Sequence, residues 1–163
     1  MKDSILKGKA ILAVEDDPRV LAVLEGKIKI AYPDCFFDKA TTYKEATERM
    51  ASWTYDLVIL DITGVRGLDL FTNACVRNYP VVLLTDRRLD SEAMRQSNLL
   101  GARAYLPKQK IEEVIPFLEN ALTYKYLPVW MRFFKKMRGV FGLQSESDWE
   151  RSMDTRAVSI YQS

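Results

Sequence analysis

Five short apolar runs, spaced fairly evenly along the chain, set the strongest limit on its fold. They are Ala10 to Val14, Cys35 to Phe37, Leu57 to Leu60, Val81 to Leu84 and Ala104 to Leu106. The first, third and fourth runs are continuous rather than alternating, which is expected of strands buried on both faces of a parallel sheet. Such a sheet must be covered by helices on both faces.

Segments with helical spacing of apolar residues lie between and after these runs. Their apolar positions are Val20, Leu24 and Ile28; Ala46 and Met50; residues 68–75; and Ile111, Val114, Ile115, Leu118 and Leu122. Pro116 is expected to kink or delay the last helix, because proline removes a helical hydrogen bond. A βα unit repeated five times predicts an open, doubly wound α/β sheet with right-handed crossovers.

Length and charge indicate one domain with an appendage. The 163 residues, 48% of them hydrophobic, can bury one good core but are too few for two full domains. The 24 Lys and Arg nearly balance the 22 Asp and Glu, so the total charge of +2 points to neither a nucleic-acid binder nor an acidic tail. The surplus positive charge lies in residues 124–163, which hold 7 basic and 4 acidic side chains.

Cysteine and histidine usage narrows the chemistry. Cys35 and Cys75 lie far apart in apolar surroundings, and without a signal peptide or a membrane span they are expected to be reduced, buried thiols of a cytoplasmic protein. The chain has no histidine, which excludes Ser/His and Cys/His dyads and the usual zinc ligand. Any chemistry must therefore rest on carboxylates, hydroxyls and lysines.

Polar residues follow four of the five predicted strands. They are Glu15, Asp16 and Asp17 after the first, Asp61 after the third, Thr85 and Asp86 after the fourth, and Lys108 after the fifth. In a doubly wound sheet these carboxyl ends meet at one rim, where ligands bind. Carboxylates with a hydroxyl and an amine suit a hard cation and a phosphate. We therefore predict a Mg²⁺ site, since the cation would offset the crowded negative charge.

Asp61, at the end of the central strand, is the candidate nucleophile. A carboxylate can accept a phosphoryl group as an aspartyl phosphate, with catalysis supplied by positioning and charge neutralisation. Lys108 would pair with a phosphoryl oxygen, and the Thr85 hydroxyl would donate a hydrogen bond. Each residue alone also fits an ordinary structural role, such as Asp17 before Pro18 as a helix N-cap. Complementary polar residues at four separate strand ends are nevertheless better explained by a site for a cation and a phosphate.

Four segments resemble those of response-regulator receiver domains, over residues 8–123. They are Ile11-Leu-Ala-Val-Glu-Asp-Asp-Pro18, Leu57-Val-Ile-Leu-Asp61, Val81-Val-Leu-Leu-Thr85 and Gly101-Ala-Arg-Ala-Tyr-Leu-Pro-Lys108. The resemblance implies a flavodoxin-like five-stranded parallel sheet of order 2-1-3-4-5 in residues 1–123. It also implies a cytoplasmic two-component signalling protein, phosphorylated by a sensor histidine kinase or phosphotransfer protein. Such a protein is not an enzyme beyond its own phosphoryl uptake and slow autodephosphorylation.

The same resemblance assigns roles to individual residues. The Mg²⁺ ligands would be Glu15, Asp16 (the more direct of that pair), Asp61 and the backbone carbonyl of Thr63. The phosphate-contacting and switch residues would be Lys108, Thr85 and Tyr105. Phosphorylation of Asp61 would draw the Thr85 hydroxyl toward the phosphate and Tyr105 inward, and the phosphate would bias a two-state element.

Three departures from the family pattern leave an alternative open. The loop after Asp61 reaches glycine in six positions rather than eight and lacks proline, and Asp86 stands where the family generally has a small residue. Gln109 replaces a proline, so the preceding peptide bond is expected to be trans. The alternative is a degenerate receiver that acts as a non-phosphorylated interaction or dimerisation scaffold. A phosphate-transferring ATPase is disfavoured, because the chain has no Gly-Asp pair.

Residues 124–163 are predicted to form a basic, aromatic helical extension. One helical face carries Trp130, Phe133, Phe134, Met137 and Phe141, and the other carries Arg132, Lys135 and Lys136. The segment is too short for a winged-helix domain and shows no helix-turn-helix pattern, so direct DNA binding is not expected. Docking on its own receiver or in a homodimer is favoured, and a partner or an anionic membrane surface is the alternative.

Overall fold

The computed structural model describes residues 4–63, 66–86 and 102–123. The predicted extension at residues 124–163 lies outside the described residues, as does Gly101. The elements in chain order are β1 (Ala10–Val14), α1 (Pro18–Ala31), β2 (Phe36–Ala40), α2 (Tyr43–Ser52), β3 (Leu57–Asp61), α3 (Gly67–Val76), β4 (Val81–Thr85), β5 (Ala104–Pro107), a 3₁₀ helix (Lys108–Glu113) and α4 (Val114–Thr123).

The five strands form one parallel sheet in the order β2-β1-β3-β4-β5, which confirms the predicted doubly wound fold. Every residue of β3 and β4 is buried, as the continuous apolar runs predicted. The strand order reverses between β1 and β3. The carboxyl ends of these two strands are therefore the place where a ligand site is expected.

The second strand lies further along the chain than its apolar run indicated. The prediction was residues 35–37, whereas β2 runs from Phe36 to Ala40 and includes two charged residues. Asp38 and Lys39 are tolerated there because β2 is an edge strand, with one edge that no strand among the described residues covers. The Asp38 carboxylate accepts a hydrogen bond from the Tyr55 hydroxyl at 2.6 Å and pairs with the Arg49 guanidinium at 2.8 Å.

The first helix starts with the cap that the sequence predicted. The Asp17 carboxylate accepts a hydrogen bond from the Arg19 N–H at 2.9 Å, and Pro18 takes the first helical position, where it loses no hydrogen bond. The buried positions are Leu21, Leu24 and Ile28. Val20, the first apolar position of the predicted helix, is partly buried and packs against this core.

The last helix is delayed, as Pro116 predicted. Residues after β5 first form the 3₁₀ helix, and the α-helix begins at Val114. Pro116 then lies in the first turn of α4, where its missing N–H has no helical acceptor to lose. The buried residues of α4 are Val114, Phe117, Leu118 and Ala121, whereas Ile111, Ile115 and Leu122 of the predicted stripe are only partly buried.

Both cysteines are free thiols, but only one is fully buried. Cys35 is 1% exposed, whereas Cys75 is half-buried, so the expectation of burial was wrong for Cys75. Burial raises the pKa of both thiols, to about 11 for Cys75, which keeps them protonated at neutral pH. None of the helices in the described ranges combines the length and apolar character that crossing a membrane requires.

Candidate functional site

Three carboxylates meet at the carboxyl ends of β1 and β3. Glu15 and Asp16 directly follow β1, and Asp61 is the last residue of β3. Because Val14 and Leu60 are paired in the sheet, the residues that follow them lie side by side. One carboxylate oxygen from each of the three lies within 4.8 Å of the others. Asp16 is exposed, whereas Glu15 and Asp61 are buried.

The Lys108 ammonium reaches this cluster from the end of β5. Its Nζ lies 2.8 Å from Oε2 of Glu15 and 3.1 Å from Oδ2 of Asp61, where it donates a hydrogen bond. A third carboxylate, that of Asp86, lies 3.9 Å away at the rim. The Lys108 side chain is only 18% exposed, so its charge acts on the carboxylates with little screening by solvent.

Burial and crowding shift the protonation of this cluster. Burial, helped by the neighbouring Asp16 and Asp61, raises the pKa of Glu15 to about 7, although Lys108 and the Asp17 N–H act in the opposite direction. Burial alone would lower the pKa of Lys108, but its contacts with Glu15 and Asp61 raise that pKa above its ordinary value. Lys108 is therefore a fixed cation, whereas Glu15 changes charge near neutral pH.

Both oxygens of Asp61 are engaged. Oδ1 accepts two hydrogen bonds from Thr63, from its N–H at 2.9 Å and from its hydroxyl at 2.7 Å, while Oδ2 accepts from Lys108. These contacts hold the carboxylate in one orientation at the end of β3. Thr63, predicted as a backbone ligand, thus lies next to Asp61, and its side chain also contacts the candidate nucleophile.

The two predicted switch residues lie on neighbouring strands. Thr85 ends β4 and is fully buried, and within the described residues its Oγ1 has no hydrogen-bond partner. Tyr105 lies in β5 and is also fully buried. The peptide bond between Lys108 and Gln109 is trans, as predicted.

A cavity of about 210 Å³ opens beside Asp61 on the side of α2. Its walls are Val14, Glu15, Asp16, Thr41, Thr42, Tyr43, Asp61 and Leu70. Four of these wall residues were not predicted as part of the site: Thr41 and Thr42 of the β2–α2 connection, Tyr43 of α2 and Leu70 of α3. The cavity gives a small ligand or a hydrated cation access to the Asp61 carboxylate.

A helix-capping motif that was missed in the sequence explains how the β2–α2 connection is held at this rim. The Thr42 hydroxyl accepts a hydrogen bond from the Glu45 N–H at 3.2 Å, and the Glu45 carboxylate accepts one from the Thr41 N–H at 2.8 Å. A threonine followed three residues later by glutamate is the sequence signature of such a cap. This signal would have located the wall of the cavity.

The short loop after Asp61 returns through a close backbone approach. A Cβ on Gly67 would lie 2.5 Å from the Ile62 carbonyl oxygen, so only glycine fits this position. The preceding residue, Arg66, adopts a left-handed conformation with φ of 60°. Its guanidinium stacks 3.8 Å above the Tyr43 ring, which joins the loop to the wall of the cavity.

The residues present fit a hard divalent cation. The donor set consists of carboxylate oxygens, and the cluster brings them close enough to share one ion. Burial, and after it the neighbouring Asp16 and Asp61, raise the pKa of Glu15, so this carboxylate is costly to ionise even with Lys108 in contact. A divalent cation at the cluster would favour the ionised form of Glu15 and offset that cost.

The comparisons with known proteins agree with the resemblance that the motifs carry. The family model described as "Response regulator receiver domain" matches residues 11–117. A comparison with curated proteins found no significant match. The matched range contains every residue of the candidate site.

Solved structures with the same fold cover 70% to 72% of this chain. A candidate response regulator from Chloroflexus aurantiacus J-10-fl is 25% identical, with a TM-score of 0.62 and coverage of 72% of this chain and 100% of that one. A CheY-like receiver domain protein from Methanospirillum hungatei JF-1 is 20% identical, with a TM-score of 0.64 and coverage of 72% and 95%. The chemotaxis protein CheY4 of Vibrio cholerae is 18% identical, with a TM-score of 0.62 and coverage of 70% and 98%.

Proposed function

The chain belongs to the response regulator receiver domain family, and from that premise we propose that it is a phosphoacceptor that takes up a phosphoryl group on Asp61. Its family gives it a role in two-component signalling. The observation that carries the proposal is the contact of Lys108 with Asp61 from a separate strand end, beside two further carboxylates. These are the groups that phosphoryl transfer to a carboxylate requires.

The proposed reaction is a direct displacement at phosphorus. An Asp61 oxygen forms a bond to phosphorus, and the bond between phosphorus and the donor's imidazole nitrogen breaks. The electron pair leaves on that nitrogen, which solvent protonates. In the hydrolysis that ends the signal, a water oxygen attacks phosphorus and the bond between phosphorus and the Asp61 oxygen breaks. The electron pair returns to the Asp61 carboxylate, a proton of the water passes to solvent, and inorganic phosphate is released. Apart from this uptake and slow loss, the protein has no enzymatic activity in the proposal.

Each residue of the site would have a separate role in this reaction. Thr63 holds the Asp61 carboxylate through Oδ1, so that the group is oriented before the donor arrives. Lys108 already lies next to Oδ2 and would pair with a phosphoryl oxygen. Glu15, Asp16, Asp61 and the Thr63 carbonyl would hold Mg²⁺, whose charge would neutralise the phosphoryl oxygens when it is bound.

The buried Thr85 hydroxyl supports the signalling part of the proposal. It lacks a hydrogen-bond partner among the described residues. Thr85 lies at the same end of the sheet as Asp61, on the neighbouring strand. A phosphoryl group on Asp61 would supply an acceptor for it. The movement of Thr85, together with Tyr105, would then change the surface that meets partner proteins. The partners we propose are a cytoplasmic sensor histidine kinase or phosphotransfer protein and a downstream protein target.

Intact mass spectrometry after incubation with a small phosphodonor and Mg²⁺ tests the proposal. The wild-type protein should gain the mass of one phosphoryl group, and Asp61→Asn should gain none. Asp69→Asn, which removes an exposed carboxylate of α3, is the matched control and should behave as wild type. No gain in the wild type, or an equal gain in Asp61→Asn, would reject phosphoryl uptake and leave the interaction scaffold as the function.

A further inference from the structure

Asp86 is a charged residue of the site to which phosphoryl uptake assigns no role. It follows β4 directly after Thr85, and its side chain is 61% exposed. Its Oδ2 lies 3.9 Å from the Lys108 Nζ, on the solvent side of the cluster. Lys108 is therefore shared among three carboxylates, of which only Asp61 would carry the phosphoryl group.

The distances put the Asp86 charge within range of the reacting group. Both Asp86 Oδ2 and Asp61 Oδ2 contact the same Nζ, at 3.9 Å and 3.1 Å, so they are at most about 7 Å apart. A phosphoryl group on Asp61 would bring additional negative charge into this space. The Debye length at physiological salt is about 8 Å, so the repulsion between the two groups is only partly screened.

We propose that Asp86 is a positioning residue that weakens phosphoryl binding at Asp61, because it attracts Lys108 and repels the incoming phosphoryl oxygens. The inference rests on the proposed function and extends it to the control of the same site. If Glu15 and Asp61 were bound to a divalent cation, they would no longer pair with Lys108. Asp86 would then be the remaining described carboxylate that competes with the phosphoryl group for Lys108. Removal of its charge would leave Lys108 free to pair with the phosphoryl oxygens.

The test measures two affinities of the full-length protein and its variants by calorimetry. The first is for beryllofluoride, a phosphoryl analogue, at saturating Mg²⁺, and the second is for Mg²⁺ alone. Asp86→Asn should bind beryllofluoride roughly two- to fivefold more tightly than wild type at low salt, the range expected of one exposed charge. The gain should shrink as salt rises. Its Mg²⁺ affinity should be unchanged or lower, since an anion near the cation has been removed.

Glu48→Gln is the matched control. Glu48 lies on α2, its side chain is 62% exposed, and its carboxylate is 3.8 Å from the Lys44 ammonium, so its exposure and its ion pair resemble those of Asp86. The same charge is lost, but away from Lys108. Its beryllofluoride and Mg²⁺ affinities should match those of wild type.

The outcomes separate this inference from the proposed function. If wild type binds beryllofluoride and Asp86→Asn binds it equally or more weakly, the inference is wrong while phosphoryl uptake stands. A loss of both affinities in Asp86→Asn would indicate a structural role and would also reject the inference. Binding by Asp86→Asn alone would support it strongly. No binding by either protein would reject both proposals.

Discussion

The Lys108 ammonium lies closer to Glu15 than to Asp61, with Nζ 2.8 Å from Oε2 of Glu15 and 3.1 Å from Oδ2 of Asp61. Among the described residues, Lys108 is the one cation that pairs with these two buried carboxylates. Burial, and after it the acidic neighbours Asp16 and Asp61, raise the pKa of Glu15 to about 7. The charge of this cluster is therefore sensitive to pH near neutrality.

This arrangement predicts that Glu15 destabilises the protein as pH rises when divalent cations are absent. The folded protein holds a proton on Glu15 up to a pKa of about 7, whereas the unfolded chain releases it near 4.5. The native state therefore binds more protons in that window, and the free energy of unfolding falls as pH increases. Between about pH 4.5 and about pH 8 the loss from this residue should reach about 3 kcal/mol.

Denaturant unfolding in the presence of a chelator would measure the effect. The quantity to follow is the free energy of unfolding of wild type minus that of Glu15→Gln, because the other carboxylates then cancel. This difference should decrease steadily from acidic to alkaline pH. A difference that does not change with pH would mean that Glu15 ionises normally in the folded protein.

Thr85→Val is predicted to stabilise the protein and to weaken its binding of the phosphoryl analogue. The buried Thr85 hydroxyl has no partner among the described residues, so its replacement by an isosteric methyl should raise the free energy of unfolding by about 1 kcal/mol. The same change removes the donor that would reach the phosphoryl group. Beryllofluoride affinity should fall about tenfold, the equivalent of one hydrogen bond.

Thr85→Ser separates the two effects. It keeps the hydroxyl but leaves a small void in a fully buried position. Binding should therefore be retained, while the free energy of unfolding drops by about 1 kcal/mol. If Thr85→Val lost stability instead, the hydroxyl would have a partner in the resting protein.

The central strands of the fold could be predicted from the sequence, and the edge strand could not be placed as well. Buried strands such as β3 and β4 are continuous apolar runs, so their bounds are visible. The edge strand β2 includes Asp38 and Lys39, whose partners Tyr55, Arg49 and Glu25 lie elsewhere in the chain. A pattern search cannot see those partners, so it ended the strand too early.

The candidate site was likewise predictable from the sequence only in part. Strand ends and family motifs indicated the carboxylates and Lys108, because parallel topology alone brings the strand ends together. Two details could not be predicted: Lys108 lies closer to Glu15 than to Asp61, and the Thr63 hydroxyl contacts Asp61. Both depend on differences of a few tenths of an ångström in side-chain distances. Such differences are set by packing of the whole rim. They become visible only in the structure.

Gly67→Ala is predicted to destabilise the fold, because a Cβ at this position would lie 2.5 Å from the Ile62 carbonyl oxygen. The contact is with backbone and cannot be relieved by a change of rotamer, so the free energy of unfolding should drop by about 2 to 3 kcal/mol. Gly26→Ala in α1 is the control, since a Cβ there meets nothing within 4 Å. It should instead stabilise the helix by about 0.5 to 1 kcal/mol. Equal effects in urea denaturation would show that the loop after Asp61 can relax.

Lys108→Met is predicted to change the affinities for the cation and for the phosphoryl analogue in opposite directions. In the resting site the ammonium occupies the Glu15 and Asp61 oxygens that a divalent cation would need. Its removal ends that competition, so Mg²⁺ affinity should rise by about tenfold. Beryllofluoride affinity should fall by at least about tenfold, because the cation that pairs with its negative charge is gone.

Stability should follow the same logic. Without Lys108, no cation among the described residues pairs with the two buried carboxylates Glu15 and Asp61. In the presence of a chelator the free energy of unfolding should fall by about 2 to 3 kcal/mol. The loss is moderate because Glu15 can take up a proton. Added Mg²⁺ should restore the lost stability, since a ligand bound only by the folded state stabilises that state. Lys110→Met, in the same 3₁₀ helix and paired with Glu113, is the matched control and should alter neither affinity. Weaker Mg²⁺ binding by Lys108→Met would mean that the lysine helps to form the cation site rather than competing for it.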